Sequence, residues 1–185
     1  MLSIVYGPPL SGKSTFASKM NNINHISVGK ICRHESSQQS FRGLYLKHAI
    51  LYNWFIPSQI LLPLVLNNNI LSQNQENVLD GIPKYSHEIN PLKKLCKNNK
   101  VNLKTLHYLN PPLDILLNRL KTRRTCNLCY KSSTNTNLCS CGGLMITREE
   151  DSMTYFLDRY SRFQNHSAII LEKLSSFMEI KTYVD

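Results

Sequence analysis

Acidic residues and long apolar runs are scarce in this sequence. It has 12 Asp and Glu against 22 Lys and Arg among 185 residues, which gives a formal net charge of +10. The longest apolar run, ILLPLVL from Ile60, is interrupted by Pro63 and is far too short to span a bilayer, which excludes a transmembrane helix. The charge excess predicts an acidic partner, and charge alone does not decide between nucleic acid, a membrane surface and a phosphorylated small molecule.

The first residues do not have the pattern expected of a secretory leader. The N-terminus MLSIVYGPPLSGK is apolar from its start, with no basic region before it and no small-residue cleavage site. We therefore expect a first β-strand there and a cytoplasmic protein. In a reducing compartment, the six cysteines are expected to be metal ligands, core residues or free thiols rather than disulfides. The length allows one main domain whose core carries small insertions.

Short apolar runs alternate with helical patterns along the chain. Strands are predicted for LSIVY at 2–6, NVLD at 77–80, KTLHYL at 104–109 and the final EIKTYV. The stretch STFASKMNNI places Met20 and Ile23 at helical spacing after the first strand. Further helices are predicted at HAILYNWF, at SQILLPLVL, from Pro112 and over 150–175. Helices interleaved with short buried strands predict an α/β fold whose parallel sheet is covered on both faces.

The sharpest motif is GPPLSGKS, from Gly7 to Ser14. It matches G-x-x-x-x-G-K-[ST] and lies between an expected strand and an expected helix, which is the context the motif requires. Its glycines, Gly7 and Gly12, let backbone N–H groups converge on phosphate oxygens. Lys13 reaches the outer phosphates, and Ser14 can ligate Mg²⁺ at the positive end of the helix. The motif predicts a nucleoside triphosphate site.

The segments that follow this motif resemble, in their order, the adenylate kinase family. They are ISVGKICR at 26–33, LDGIPK at 79–84, RLKTRRTC at 119–126, CGGLMITREED at 141–151 and DRYSRF at 158–163. The resemblance covers nearly the whole chain and is specific to the long-lid, zinc-ribbon type, because related uridylate and cytidylate kinases usually have a short lid without cysteines.

The resemblance implies a fold and a division of the chain. The fold is a three-layer P-loop core with a parallel sheet, plus a small helical monophosphate-binding insertion and a zinc-ribbon lid. The core would comprise 1–26, 57–123 and 151–185. The insertion would be 27–56 and the lid 124–150.

The resemblance also implies an activity, which is reversible, Mg²⁺-dependent phosphoryl transfer from ATP to a nucleoside monophosphate, with AMP favoured and two ADP as products. Such transfer needs little covalent help, so cations should converge on one point. Arg123 matches the residue for the ATP phosphates, and Arg148 and Arg159 match those for the transferred group. With Lys13 and Asp80 they form the implied catalytic set.

The remaining ATP contacts are implied in the same way. Arg119 matches the residue that packs on the ATP base. Ser14 and Asp80 match the residues that hold Mg²⁺, Asp80 through water. The implied ATP-binding set is Gly7, Gly12, Lys13, Ser14, Thr15, Arg119 and Arg123.

The implied acceptor pocket departs from the family. Val28 replaces a threonine. Lys84 replaces an arginine that, together with the residue matched by Arg33, binds the monophosphate through two parallel hydrogen bonds. Glu88 stands where a glutamine reads the adenine edge, and an ionised carboxylate only accepts hydrogen bonds. Guanine offers two adjacent donors, so Glu88 suits GMP in principle, whereas AMP is retained if the register differs or Glu88 is protonated. Glu88 as a mere surface residue is the third interpretation. The implied pocket is Val28, Arg33, Ile56, Gly81, Lys84 and Glu88.

Two other departures concern ATP. Leu10 replaces a glycine in the P-loop, which is expected to crowd the phosphates or alter loop flexibility. The chain stops at KTYVD, where the family continues through a glycine-bearing turn into a final helix. We therefore expect weaker ATP discrimination and weaker stability.

Four cysteines fall within the implied lid, at Cys126, Cys129, Cys139 and Cys141. So short a piece cannot bury enough apolar surface to fold alone, and we expect one structural Zn²⁺ to stabilise it. The second pair is C-x-C where the family has C-x-x-C, so Cys139 is the least typical ligand and a metal-free lid is the alternative. Cys32 and Cys96 lie outside this cluster and are expected to be ordinary buried or free thiols.

Two classes of function remain open at this stage. The leading class is a nucleoside monophosphate kinase acting as a monomer on ATP and AMP, or with its acceptor shifted towards GMP or another base. The other is a catalytically weakened relative that senses nucleotides or binds nucleic acid through its basic ribbon. The retained cations argue against the second class, and Tyr130 is the only aromatic residue among the lid cysteines, where nucleic-acid binding predicts several.

Overall fold

The computed structural model describes residues 1–66, 70–134 and 136–184. The strands are β1 (Leu2–Tyr6), β2 (Ile23–Ser27), β3 (Glu76–Asp80), β4 (Leu103–Leu109), β5 (Arg124–Cys126), β6 (Ser132–Ser133), β7 (Met145–Ile146) and β8 (Glu179–Tyr183). The α-helices are α1 (Lys13–Ser18), α2 (Val28–Ser36), α3 (Phe41–Leu51), α4 (Ser58–Val65), α5 (Ile89–Asn98), α6 (Leu113–Thr122) and α7 (Met153–Ser175). Short 3₁₀ turns occupy Ser86–Glu88 and Glu149–Asp151.

The expected α/β fold with a parallel sheet is confirmed. Five strands pair in the order β2-β3-β1-β4-β8, and every pairing is parallel. All five residues of β1 are buried, as the continuous apolar run LSIVY requires of a strand covered on both faces. None of the helices in the described ranges combines the length and the apolar content that crossing a bilayer requires.

Helices cover both faces of this sheet, which makes three layers. Alternate residues of β1 point to opposite sides: Leu2 and Ile4 belong to the large cluster built with α2, α4, α5 and α7. Val5 packs in a second cluster with Ala17 of α1. This alternation is the period-2 geometry of a strand. A third cluster joins α6 to α7 through Leu116 and Phe156.

Two predicted helices have different bounds in the structure. The helix predicted to carry Met20 and Ile23 ends at Ser18, and Ile23 begins β2 instead. Asn22 adopts a left-handed φ of 53°, which asparagine tolerates better than most residues and which stops a helix. The helix predicted at HAILYNWF begins earlier, at Phe41, and ends before Asn53, whose φ is 55°.

A second, small sheet lies within residues 124–146. Its antiparallel strands have the order β6-β5-β7, and an isolated bridge pairs Leu138 with Leu144. Only three residues of β5 and two of each partner are paired, so the sheet buries little apolar surface. Its stability has to come from another source, because such a small sheet is marginal by itself.

The packing of Phe156 generates a stability prediction. This ring is fully buried against α6, and we expect Phe156→Ala to lower the free energy of unfolding by about 3–5 kcal/mol because it leaves a cavity. Urea unfolding followed by circular dichroism measures the change. Phe41→Ala is the control, since Phe41 is 92% exposed and its loss should change stability by no more than about 0.5 kcal/mol. Equal losses in the two variants would contradict the packing.

Candidate active site

The glycine-bearing loop connects β1 to α1 at the carboxyl edge of the parallel sheet. A Cβ at Gly7 would lie 2.3 Å from the carbonyl oxygen of Leu109, so only glycine allows the loop to pass this close to β4. Leu10 has a φ of 65°, a left-handed conformation that costs a residue with a Cβ about 1–2 kcal/mol. Its side chain packs against the α6–α7 cluster of Leu116 and Phe156.

Lys13 is held inside this loop. Its Nζ donates to the carbonyl oxygens of Gly7 at 3.0 Å and Pro8 at 2.6 Å, and to Ser11 Oγ at 3.2 Å. The pKa of Lys13 is lowered to about 8, mainly by desolvation and also by the charge of Arg123, while Asp80 opposes the shift. A lysine with a lowered pKa among other cations favours an incoming anion.

The candidate magnesium residues lie side by side. Ser14 Oγ donates to Asp80 Oδ2 at 2.8 Å, and His25 Nε2 lies 2.6 Å from the same oxygen. Burial acts to raise the pKa of Asp80, but the hydrogen bonds from His25 and Ser14 outweigh it and hold the pKa below its ordinary value. Asp80 is therefore ionised, as coordination of a divalent cation or its water shell requires.

His25 was not singled out from the sequence. It lies in β2, a strand that was not predicted, because the helix predicted from STFASKMNNI extended to Ile23, the first residue of that strand. Once β2 is placed beside β3, with Ile26 next to Leu79 and Ser27 next to Asp80, a polar side chain near the end of β2 is expected to approach Asp80. The strand pairing is the signal that could have found it.

Three of the predicted arginines converge on Asp151. Arg148 donates to both carboxylate oxygens, through Nε at 2.8 Å and Nη2 at 2.7 Å. Arg123 Nη1 and Arg159 Nη2 lie 3.5 and 3.7 Å from Oδ1. Asp151 has 1% of its side chain exposed. Burial acts to raise its pKa, and the arginines outweigh this and lower it. The buried carboxylate therefore holds the three guanidinium groups in one place.

Arg123 shows how strongly these cations interact. The pKa of Arg123 is lowered to about 10, mainly by burial and also by the neighbouring charges of Arg148, Arg33 and Arg159, while Asp151 opposes them. Asp151 was not singled out from the sequence. The acidic run Glu149–Asp151 directly after Arg148 could have indicated it, because a buried arginine cluster requires an anionic partner.

Two other predicted ATP residues lie on either side of the loop. Arg119 Nη1 donates to the carbonyl oxygen of Leu10 at 3.3 Å and lies 3.6 Å from the position of a Cβ at Gly12, so its guanidinium flanks the loop. Thr15 follows Ser14 in the first turn of α1 and is exposed. The loop, α1 and α6 therefore meet around one open edge.

The predicted acceptor residues lie on the other side of β3. Gly81 follows β3 directly and contacts the buried Val28 at the start of α2. Lys84 follows β3 three residues after Gly81; desolvation by the surrounding protein lowers the pKa of its ammonium, and the charge of Glu88 opposes this shift. Ile56 is partly buried against the large core cluster.

Glu88 is not a surface residue, because only 1% of it is exposed. Its Oε2 accepts backbone hydrogen bonds from Lys84 N at 2.6 Å and Tyr85 N at 3.0 Å. Within the described part of the chain, Oε1 accepts none. The carboxylate therefore fixes the loop that follows β3 and presents a single further acceptor oxygen.

All four cysteines of the predicted metal site lie together in the structure. Sγ atoms of Cys126 and Cys141 are 3.5 Å apart, those of Cys129 and Cys139 are 3.6 Å apart, and all four lie within 4.8 Å of one another. Four thiolates around a tetrahedral zinc would be separated by about 3.8 Å. Backbone N–H groups of Leu128 and Cys129 donate to Cys126 Sγ at 3.4 Å each. The donor set therefore fits a zinc ion, and Cys139 takes part despite its atypical spacing.

The close packing around Cys126 requires a glycine. A Cβ at Gly143 would lie 2.5 Å from Cys126 Sγ. The other two cysteines, Cys32 and Cys96, are buried and unoxidised, and burial raises the pKa of both thiols, that of Cys96 to about 11. They are inert core thiols, as expected from the sequence.

Comparisons with known proteins agree with this site. A family model described as adenylate kinase matches residues 5–179. The GTP:AMP phosphotransferase of Plasmodium falciparum is 31% identical over 144 residues, which are 75% of this chain and 61% of that protein. Adenylate kinases of Clostridium perfringens (strain SM101) and Mycoplasmopsis pulmonis are 25% and 27% identical, over 93% and 98% of this chain and 85% and 91% of their own lengths.

The lowered pKa of Lys13 generates a prediction. Its folded pKa is about 8 and its ordinary value is 10.5, so the unfolded chain binds more protons between these values and folding stability should rise with pH there. Below pH 8 the penalty of the buried charge is fully present. We expect the free energy of unfolding of the wild type to increase, relative to Lys13→Met, between pH 8 and pH 10.5.

Denaturant unfolding of both proteins at pH 7.0 and at about pH 10 measures this difference, because other titrating groups cancel between them. A difference that stays constant with pH would contradict the lowered pKa.

Proposed function

Because this chain belongs to the adenylate kinase family, whose members are phosphotransferases, we propose that it transfers the terminal phosphoryl group of Mg·ATP reversibly to AMP and forms two ADP. The observation that carries the proposal is the convergence of Lys13, Arg123, Arg148 and Arg159 at the edge of the sheet where the phosphate-binding loop ends. Phosphoryl transfer requires such positioned positive charge more than any covalent group.

The donor side is formed by the loop and α6. Backbone N–H groups between Gly7 and Gly12 would bind the phosphates, Lys13 would contact the outer ones, and Arg119 would pack on the base. Ser14 and Asp80 would hold Mg²⁺, Asp80 through water. Bound Mg²⁺ would offset the negative charge of the phosphates. The short distance between Ser14 Oγ and Asp80 Oδ2, 2.8 Å, supports this pairing.

The arginines that Asp151 holds would surround the transferred group. The carboxylate supplies negative charge that keeps Arg123, Arg148 and Arg159 together. Entering phosphates bring further negative charge to guanidinium groups that are already oriented. Little reorganisation then remains for the transition state, which is the condition for effective electrostatic stabilisation.

The acceptor would bind on the other side of β3, between α2 and the loop that ends at Glu88. Arg33 and Lys84 would bind its phosphate, and Val28, Gly81 and Ile56 would line the pocket. Lys84 contributes a point charge rather than a bidentate fork, so Arg33 has to supply the directional hydrogen bonds.

AMP as the acceptor is supported by the geometry of Glu88. Since Oε2 is used by the backbone of Lys84 and Tyr85, one oxygen remains for a base. Adenine presents one amino donor on its pairing edge, whereas guanine presents two adjacent donors that call for two acceptor oxygens. The name of the P. falciparum relative, a GTP:AMP phosphotransferase, supports the same acceptor.

We also propose a zinc-bound lid and a hinged division of the chain. Cys126, Cys129, Cys139 and Cys141 would bind one structural Zn²⁺ that stabilises the small sheet. The lid (124–150) and the insertion (27–56) would close on the core formed by the rest of the chain and exclude water, which would otherwise accept the phosphoryl group. We also propose that the protein is cytoplasmic and acts as a monomer.

A coupled phosphoryl-transfer assay tests the function and the acceptor together. Mg·ATP is the donor, and AMP, GMP, CMP, UMP and dTMP are offered in parallel. We expect AMP to be preferred, and we expect Lys13→Met to lower kcat at least 100-fold while circular dichroism shows an unchanged fold. Near-normal turnover by Lys13→Met would overturn the assignment.

Glu88→Gln is the matched control for the acceptor base. An amide oxygen can still accept the two backbone bonds, and the amide nitrogen can donate to an adenine ring nitrogen, so AMP transfer should be retained or improved. A wild type that prefers GMP and loses this preference in Glu88→Gln would establish the GMP-directed alternative. Absence of transfer with all five acceptors would favour a nucleotide sensor.

The cysteine geometry generates a prediction about metal content. We expect Cys139→Ser to lower bound zinc from about one ion per chain to less than half of that and to lower the melting temperature, because tetrahedral coordination loses a thiolate. A colorimetric chelator after denaturation measures the zinc. Cys96→Ala is the control and should retain the ion, since Cys96 lies outside the cluster. Full zinc content in Cys139→Ser would show that its thiol is not a ligand.

A further inference from the structure

Tyr130 links the lid to the acceptor side of the site. Its ring lies under the guanidinium of Arg33, with Arg33 Cζ 5.4 Å from the ring centroid. This distance is within the range of a cation–π contact. Tyr130 follows the first cysteine pair, and Arg33 lies on α2, so the contact spans the cleft between the two segments.

Tyr130 occupies a backbone conformation that does not suit it. Its φ is 59°, which residues with a bulky side chain rarely adopt and which glycine adopts without strain. The turn around the cysteines imposes this conformation, because Tyr130 N donates to the carbonyl oxygen of Cys126 at 3.1 Å. Backbone geometry alone would favour a glycine at this position. The presence of a tyrosine therefore calls for a reason in its side-chain contacts.

The surroundings of Tyr130 show where its side chain acts. Tyr130 borders two cavities between the lid and the insertion, one lined by Lys30 and His34 and the other by Arg33 and Lys47. It is half-buried, whereas Leu128 and Cys129 immediately before it are exposed. The ring is therefore the part of the cysteine turn that is covered by the insertion.

An aromatic ring suits Arg33 for an electrostatic reason. Arg33 adds to the positive charge that lowers the pKa of Arg123, so it lies in a region of like charge. A ring face attracts the guanidinium through its quadrupole and uses none of its N–H donors.

We propose that Tyr130 is a positioning residue, which holds Arg33 ready for the phosphate of the acceptor and is itself held by the cysteine turn. The inference rests on the proposed function, since it takes Arg33 as the ligand of the monophosphate. It adds a role for the metal-binding turn beyond stabilising the lid. The turn carries a side chain that would order the acceptor site when the lid lies over it.

Steady-state kinetics of wild type, Tyr130→Gly and Tyr130→Phe test the proposal. Tyr130→Gly removes the ring and suits the backbone, whereas Tyr130→Phe keeps the ring. We expect Tyr130→Gly to raise KM for AMP about fivefold, the effect of losing a partly buried cation–π contact. KM for ATP and zinc content should not change, and Tyr130→Phe should stay within about twofold of wild type. Since the contact concerns the phosphate, KM for GMP should rise by the same factor.

Three kinetic results would overturn the proposal. They are an unchanged KM for AMP in Tyr130→Gly, an equal loss in Tyr130→Phe, or a parallel rise in the KM values of ATP and AMP together with zinc loss, which would show a structural role only.

Nuclear magnetic resonance separates this inference from the proposed function. The Nε–Hε resonance of Arg33, assigned with Arg33→Lys, should carry a ring-current shift in wild type and Tyr130→Phe and lose it in Tyr130→Gly. A resonance that is identical in all three proteins would refute the contact. A wild type that shows this shift and transfers no phosphoryl group would refute the proposed function instead.

Discussion

Repulsion among cations at the carboxyl edge of the parallel sheet is the constraint on which the rest of the structure depends. Lys13 and Arg123 both have lowered pKa values because burial and neighbouring positive charges disfavour their protonated forms. Two buried carboxylates counter this cost, Asp80 below Lys13 and Asp151 among the arginines, and both have lowered pKa values that keep them ionised. The described side chains of the site therefore form a partly balanced ion network with excess positive charge, which favours the binding of anions.

The fold brings these groups together by strand order. Parallel strands end at one edge, so the loop after β1, the carboxylate at the end of β3 and the segments after β4 become neighbours although they are distant in sequence. Close approach of the backbone at Gly7 to Leu109 fixes the loop over that edge. Arg123 directly follows α6, Arg148 lies between β7 and α7, and Arg159 lies on α7. The antiparallel sheet β6-β5-β7 is too small to be stable by itself. The four cysteine sulfurs, which lie within 4.8 Å of one another, form a cluster that can stabilise it.

Much of this arrangement could be predicted from the sequence, because its signals are local. The phosphate-loop motif, the buried runs of β1, β3 and β4, and the cysteine spacing each depend on neighbouring residues. What was missed depends on pairing between distant segments. The helical spacing of Ile23 hid β2, and with it the approach of His25 to Asp80. The inward orientation of Asp151 and the burial of Glu88 follow from tertiary packing, which neither residue type indicates by itself.

The end of α3 has a practical consequence for watching this protein at work. Trp54 is the single tryptophan of the chain, and it lies just beyond α3 within the insertion, 55% exposed and stacked on Tyr52 with ring centroids 5.3 Å apart. Fluorescence excited at the long-wavelength edge of the protein's absorption band therefore comes from Trp54. The protein carries a built-in optical reporter on the segment that follows α3, so rearrangements of that segment can be timed by stopped-flow fluorescence without any attached dye.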